Sequence, residues 1–325
     1  MLTNAHTPIR MPFKTRIAPS PTGRMHAGNV FAALMSWLIA RKNGGEVLLR
    51  IEDLDSGRSR IEYVDHIMRD LDWLGLDWVN DVIYQSTRSD AYSAALSILE
   101  TQHLVYPCFC SRADLHAASA PHTSDGDLVY TGTCRHLTEK ERDLQLRSRK
   151  PAQRVKVSTK NSETNIITFH DQLQGMVTCD LDTSCGDFIV RRSDGIFAYQ
   201  LAVTVDDIEQ GITCLVRGCD LLESTPRQLY LRRLLTKQAP DTSTDLSFYH
   251  LPLLVGSDGR RLSKRNGDCD LEHLRAQYKT PTALLGHIAH ITGIVPGPDE
   301  PHSLDEILEC YSLDQLKLRW IIEYR

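Results

Sequence analysis

The sequence has no long hydrophobic run. Its longest apolar stretch, Val30 to Ala40, is interrupted by Ser36 and falls short of the roughly 20 residues a membrane span requires. The order Met1, Leu2, Thr3, Asn4 lacks the charged-then-apolar pattern of a secretory signal. There is no excess of basic charge: 37 Lys and Arg against 42 Asp and Glu give a formal charge of -5. That excludes a global field for non-specific nucleic-acid binding and leaves room only for a local basic patch. Internal repeats and low-complexity tracts are also missing. The nine cysteines are an odd count without an export signal, which disfavours a disulfide framework and favours reduced thiols or a metal site. The expectation is a cytoplasmic protein that does not engage membranes. With 41% hydrophobic and 24% charged residues in 325, disorder is excluded as the main state and about two domains are expected.

Phe13 to Ala18 predicts a short buried strand, followed by the turn-forming run Pro19 to Gly23. Val30, Leu34, Trp37, Leu38 and Arg41 then recur at helical spacing from about Ala27, and Gly44-Gly45 marks the stop. Glu46 to Ile51 has the apolar density of a parallel strand and ends in Glu52, Asp53 and Asp55. Helices over Ser59–Leu74 and Ser89–Gln102, with a strand at Val82–Tyr84 between them, continue the alternation and predict a right-handed parallel sheet covered by helices. The rhythm breaks near Pro107. A helix over Thr138–Ser148 with a solvated face (Glu139 to Arg142) and strands over Gln153–Ser158 and Thr164–Phe169 predict a smaller inserted α/β unit. Apolar density returns from Tyr199 and leads to a helix over Ser224–Leu235, and the segment after about residue 270 reads as helical, punctuated by Pro281, Pro296, Pro298 and Pro301.

Two motifs carry chemistry. Pro19 to Asn29 lies where the first strand hands over to the first helix, the position where backbone N–H groups and the helix dipole favour phosphate. His26 there can donate to charge developing on phosphate oxygens, and Gly28 allows close approach. Far downstream, Gly256 to Gly267 is a glycine-bounded loop carrying Arg260, Arg261, Lys264 and Arg265, suited to neutralising a triphosphate without a covalent catalyst. Taken alone, each also fits a shaped turn or a solvated loop.

Together, His26-Ala27-Gly28-Asn29 resembles the HIGH motif, and Arg261-Leu262-Ser263-Lys264-Arg265 the KMSKS motif, of class I aminoacyl-tRNA synthetases. Arg16 to Ser20, Arg50 to Asp55, Val205-Asp206-Asp207 and Val216-Arg217-Gly218 resemble the glutamyl branch, and the blocks run in order from about residue 14 to 270. Two departures are Asn29 in place of the last histidine and Arg261 in place of the first lysine. The resemblance implies activation of glutamate by ATP with Mg2+. His26 and Lys264 are the catalytic candidates, and Pro19, His26, Gly28, Asn29, Arg261, Leu262, Ser263 and Lys264 the ATP-binding ones. Residue chemistry fits the amino acid. Arg16 and Arg217 can each clamp a carboxylate, Glu52 can hold the ammonium, and Ala18, Ser20 and Tyr199 add backbone, hydroxyl and phenol contacts.

Cys108-x-Cys110 joined by Cys134 offers three thiolates suited to one tetrahedral, structural zinc per chain. Coordination chemistry favours His136 as the fourth ligand, because C-x-H completes a common set. The resemblance points instead to Cys108, Cys110, Tyr130 and Cys134, the preferred set, with His136 as the alternative. Cys179, Cys185, Cys214, Cys219, Cys269 and Cys310 lack such spacing and read as small core residues, and His287 and His290 as packing or surface groups.

The expected fold is therefore α/β: a Rossmann-like parallel sheet (residues 1–107 and 196–270) with a zinc-containing insertion (108–195) and a short helical C-terminal segment (271–325). Only Asn266 to Arg325 follow the KMSKS-like block, too few for an anticodon-binding domain. That and Val203, where glutamyl-tRNA synthetases tend to have asparagine, resemble the short paralogues of the branch. These imply activation of L-glutamate without tRNA and its transfer to the wobble queuosine of tRNA(Asp) by a monomer. Alternatives are a truncated synthetase charging the tRNA 3′ end, a silent amino-acid-binding paralogue, and a zinc-dependent RNA-binding module.

Overall fold

The computed structural model describes residues 13–111, 114, 129–157, 165–236, 246–260, 262 and 270–324. Strand β1 (Lys14–Ile17) leads into helix α1 (Ala27–Lys42), and β2 (Glu46–Ile51), α2 (Ile61–Leu74), β3 (Ile83–Tyr84) and α3 (Ser89–Thr101) follow. β1 pairs in parallel with β2, and β2 with β3. The chain then forms β4 (Val105–Cys108), α4 (Glu139–Leu146), β5 (Ala152–Val155), the hairpin β6 (Ile166–Asp171) and β7 (Gly175–Asp180), the single turn α5 (Leu181–Ser184) and β8 (Phe188–Arg191). β4, β5 and β8 make a separate antiparallel sheet. Next come α6 (Tyr199–Glu209), β9 (Cys214–Gly218), α7 (Ser224–Thr236), β10 (Ser247–Leu251) and β11 (Leu253–Val255), and then α8 (Leu271–Tyr278), α9 (Pro281–Thr292), α10 (Leu304–Cys310) and β12 (Ile321–Glu323).

The parallel sheet forms as the alternating pattern predicts. β9 pairs in parallel with β10, and Thr213 N–H donates to the Lys14 carbonyl at 2.9 Å, joining the start of β9 to β1. β1 therefore lies between β2 and β9, and the crevice at the carboxyl ends of such strands is where open α/β sheets bind ligands. Side chains alternate across the sheet. Val47, Leu49 and Ile51 of β2 join one core with α1, α2 and α9, whereas Leu48 of β2 and Leu215 of β9 join a second core with α3, α6 and α7. The helix α1 is buried on most faces, and its one polar interruption is satisfied, because Ser36 Oγ donates to the Ala32 carbonyl at 2.8 Å. α4 buries no residue, as its mixed charges imply.

The apolar run from Tyr199 forms helix α6, packed against α3 and α7, and then strand β9. Two segments depart from expectation. The hairpin β6–β7 joins the main sheet: β6 pairs with β10 through Phe248 and Asp171. The C-terminal segment is not all helical, because Ile321–Glu323 returns as a strand parallel to β11. Among the cysteines read as core residues, Cys185, Cys214 and Cys219 are buried, Cys179 is half-buried and Cys310 is exposed, while Cys269 lies outside the described residues. His287 is buried against Asp299 at 2.8 Å. His290 is exposed.

The sheet is fastened to α6 by buried charge. Asp207 accepts from Arg16 Nε at 3.1 Å and Arg50 Nη1 at 2.8 Å. Asp206 accepts from Gln85 at 2.8 Å, Arg88 Nε at 2.6 Å and Tyr92 at 2.9 Å. Burial opposes ionisation of Asp207, yet Arg16 and Arg50 hold its carboxyl below the usual range. Replacing one member of a buried pair strands the other, so Arg50→Met is expected to cost about 3–5 kcal/mol in urea denaturation. A loss under about 1 kcal/mol would show that the network is not what joins α6 to the sheet.

Candidate active site

Strand alternation puts Arg16 of β1, Arg50 of β2 and Arg217 of β9 on the α6 side of the sheet. Arg16 and Arg217 stand near the carboxyl ends of their strands, and Glu52 lies just past the end of β2. A cavity of about 450 Å³ opens there, lined by Arg16, Ala18, Pro19, Ser20, His26, Gly28, Asn29, Glu52, Tyr199 and Arg217 among others. Ten residues nominated from sequence thus meet in one place. The two arginines differ. Arg16 is ion-paired to Asp207. Arg217 is 5% exposed and has only neutral partners: His250 Nε2 at 3.2 Å, Thr225 Oγ at 2.7 Å and the Tyr199 phenol. Its Nη1 has no hydrogen-bond partner. Burial holds Arg217 below its ordinary pKa, opposed by Tyr199 and reinforced by Arg16. Burial pushes the Glu52 carboxyl up, against the pull of Arg50 and Arg16. A cation without a carboxylate partner beside such a cavity is a ready anion site.

At the opposite wall His26 caps α1. Its Nδ1 accepts from Gly28 N at 3.1 Å, and its own N–H donates to Asn29 Oδ1 at 3.1 Å. The neutral ring therefore carries its proton on Nε2, as a donor. A Cβ at Gly28 would sit 3.0 Å from the ring, so glycine lets the imidazole lie against the helix start. The Gly28 N–H, expected to face phosphate, is used by this cap. Arg261, Ser263, Lys264 and Arg265 lie outside the described residues. The ends of their segment are placed: Leu262 N donates to the Leu254 carbonyl at 3.2 Å, Leu271 N donates to the Met25 carbonyl at 2.8 Å, and Asp270 bridges His26. Leu254, Met25 and His26 all line the cavity.

The thiols of Cys108, Cys110 and Cys134 lie within 4.8 Å of one another, and the Tyr130 hydroxyl is 3.5 Å from Cys108 Sγ and 3.9 Å from Cys110 Sγ. His136 is exposed and outside this group. Arg154 stacks 3.8 Å from the Tyr130 ring centroid and donates from Nε to Cys108 Sγ at 3.2 Å. Burial opposes ionisation of Cys108, yet Tyr130 and Arg154 hold its thiol below the ordinary value. Tyr130 also bridges Gly186, whose φ of 61° and contact with the Tyr130 carbonyl exclude a side chain. Three soft donors and a phenol converge as a tetrahedral metal needs.

Asp171, His250 and Thr225, which surround Arg217, were not nominated from sequence. The one available signal was a histidine inside the apolar run of β10.

The profile of the tRNA synthetases class I (E and Q), catalytic domain, matches residues 12–313. The chain belongs to that family and is a ligase of the class I aminoacyl-tRNA synthetase type. Among relatives, it is 43% identical over 291 residues to the Glutamyl-Q tRNA(Asp) synthetase of Nitratidesulfovibrio vulgaris, covering 86% of each chain. It is 43% identical to the protein of the same name from Symbiobacterium thermophilum, covering 93% of each. Its fold resembles the glutamate-tRNA synthetase of Elizabethkingia anophelis, with a TM-score of 0.77 at 25% identity, over 97% of this chain and 68% of that one. No helix of the described residues is long and apolar enough to cross a membrane.

Because the Arg217 charge is buried without a carboxylate partner, removing it relieves a desolvation cost. Arg217→Met is therefore expected to change stability by less than about 1 kcal/mol in urea denaturation, in contrast to Arg50→Met. Equal losses in the two variants would contradict this distinction.

Proposed function

We propose that the cavity binds L-glutamate and ATP, that the enzyme forms glutamyl-adenylate without tRNA, and that it transfers the glutamyl group to the wobble queuosine of tRNA(Asp). The observation carrying the first part is Arg217, a buried guanidinium with one nitrogen lacking a hydrogen-bond partner, in the wall of a cavity that also holds Arg16 and Glu52. A dicarboxylic amino acid presents two anions and one cation, and these three groups answer them. The names of the relatives, matched over 86% and 93% of their length, support the second part.

The glutamate α-carboxylate attacks the α-phosphorus in line, forming the acyl–phosphate bond as pyrophosphate leaves. The carboxylate is already ionised near pH 7, so no general base is needed. His26 Nε2–H donates to phosphate oxygens, and Lys264 neutralises charge that grows in the transition state. Pro19, Asn29, Arg261, Leu262 and Ser263 complete the nucleotide contacts, and Ala18, Ser20 and Tyr199 those to the amino acid. ATP enters as its Mg2+ complex. Zinc would be held by Cys108, Cys110, Cys134 and Tyr130. It would supply structural cross-linking, since none of these residues lines the cavity.

ATP–pyrophosphate exchange is expected to require glutamate and no tRNA, and labelled glutamate is expected to pass to tRNA(Asp) only when queuosine is present. Labelling of a tRNA 3′ end would instead make this a minimal charging enzyme, and absence of exchange would make it a binding paralogue. Lys264→Ala is expected to lower the exchange kcat by about 100- to 1000-fold with little change in glutamate KM. Arg217→Ala is expected to raise glutamate KM by about 10- to 100-fold. If both variants lose kcat and affinity alike, the division of roles fails. Metal analysis of the purified protein is expected to give one zinc per chain, diminished in Tyr130→Phe and unchanged in His136→Ala. The reverse pattern would assign the fourth ligand to His136.

A further inference from the structure

The orientation of Arg217 is itself set by residues that do not line the cavity. Asp171, fully buried at the end of β6, accepts hydrogen bonds from four donor groups. Oδ1 takes Leu173 N at 2.9 Å and Gln174 N at 2.8 Å, and Oδ2 takes His250 N at 3.1 Å and His250 Nδ1 at 2.6 Å. Three backbone N–H groups donate to the Asp171 oxygens, so this side chain is the acceptor in each of those contacts and the imidazole is placed to donate to it as well. The proton between it and the imidazole therefore sits on Nδ1, and Nε2 of the neutral ring presents a lone pair. That lone pair faces Arg217 Nε at 3.2 Å and Thr225 Oγ at 3.0 Å, and Thr225 Oγ accepts from Arg217 Nη2 at 2.7 Å. The guanidinium is planar, so fixing Nε and Nη2 also fixes the direction of Nη1, the nitrogen without a partner.

We propose that Asp171 and His250 are positioning residues for Arg217: the buried carboxylate holds the imidazole as its Nδ1–H tautomer, Nε2 accepts from the guanidinium, and the remaining edge is aimed at an amino-acid carboxylate. This rests on the reading of Arg217 as a carboxylate clamp. It also gives the β6–β7 hairpin a role at the cavity, because its turn supplies both the carboxylate and two of the N–H groups that fix it. The C-terminal segment braces that turn, with Leu318 N donating to the Leu173 carbonyl at 2.8 Å and Gln174 Nε2 to the Arg319 carbonyl at 2.9 Å.

Steady-state ATP–pyrophosphate exchange tests the relay. His250→Gln places an amide oxygen near the position of Nε2, whereas His250→Asn reaches only the position of Nδ1 and leaves Arg217 Nε without an acceptor. His250→Asn is expected to raise glutamate KM about 10- to 100-fold while kcat and ATP KM change by less than about threefold, and His250→Gln is expected to recover most of the affinity. In an Arg217→Ala background, His250→Asn should add nothing. An unchanged KM in His250→Asn, or losses in both variants that simply follow their thermal midpoints, would overturn the positioning role. If Arg217→Ala itself leaves glutamate KM unchanged, the clamp reading falls first. A normal Arg217 effect without a His250 effect removes only the relay. On the unaltered protein, nitrogen NMR of labelled histidine should find the His250 proton on Nδ1, and a protonated Nε2 would also refute the relay.

Discussion

Two adjacent buried carboxylates, Asp206 and Asp207, are the constraint on which the rest of this structure depends. A helix places neighbouring side chains about 100° apart, so the pair reaches in two directions. Asp207 takes Arg16 and Arg50 from β1 and β2, and Asp206 takes Gln85 and Arg88 from the segment that leads into α3 and Tyr92 from α3 itself. Buried charges are tolerated only when paired and hydrogen-bonded. These pairings therefore fix α6 against the sheet and bring Tyr199, at the start of α6, to the carboxyl ends of the strands.

Against that neutralised floor, Arg217 stands out. Arg16 is ion-paired through Nε to Asp207, which holds it in place on the cavity wall. Arg217 has hydroxyl and imidazole partners only, and its Nη1 is buried without a hydrogen-bond partner. The geometry separates two residues of one type: Arg16 is ion-paired into the fold, whereas Arg217 is buried without a carboxylate partner. At the far wall, His26, which lines the cavity, has its Nδ1 committed to the cap of α1. Backbone architecture thus sets the direction in which both groups can act.

Much of this was legible in the sequence because the information is local. The strand-to-helix turn at Pro19 to Asn29 announces a nucleotide site. Arg16, Glu52 and Arg217 sit at the ends of apolar runs, where an open sheet exposes them. The Cys-x-Cys spacing announces a thiol cluster. What was not legible depends on contacts between distant segments. Asp171 and His250 are 79 residues apart, and no spacing rule joins them. Their meeting requires that β6 lie beside β10, which the sequence presents as part of an insertion. The strand Ile321–Glu323 was equally hidden, since three residues carry little periodicity and its pairing partner β11 lies far upstream. Asp206 and Asp207 were read as a family block, and their role as counter-charges emerged only with the positions of Arg50 and Arg88. The fourth position of the thiol cluster was ambiguous for the same reason: Tyr130 and His136 are both near Cys134 in sequence, but only the tyrosine turns inward.

The central claim is that the unpartnered Nη1 of Arg217 demands a second carboxylate on the amino acid. Calorimetric titration of the unaltered protein with L-glutamate and with L-glutamine, without ATP, addresses it directly, because the two ligands differ in that one charge. Glutamate is predicted to bind at least about tenfold more tightly than glutamine, as loss of a charge-assisted hydrogen-bond pair implies. Equal affinity for the two, or preference for glutamine, would contradict the account.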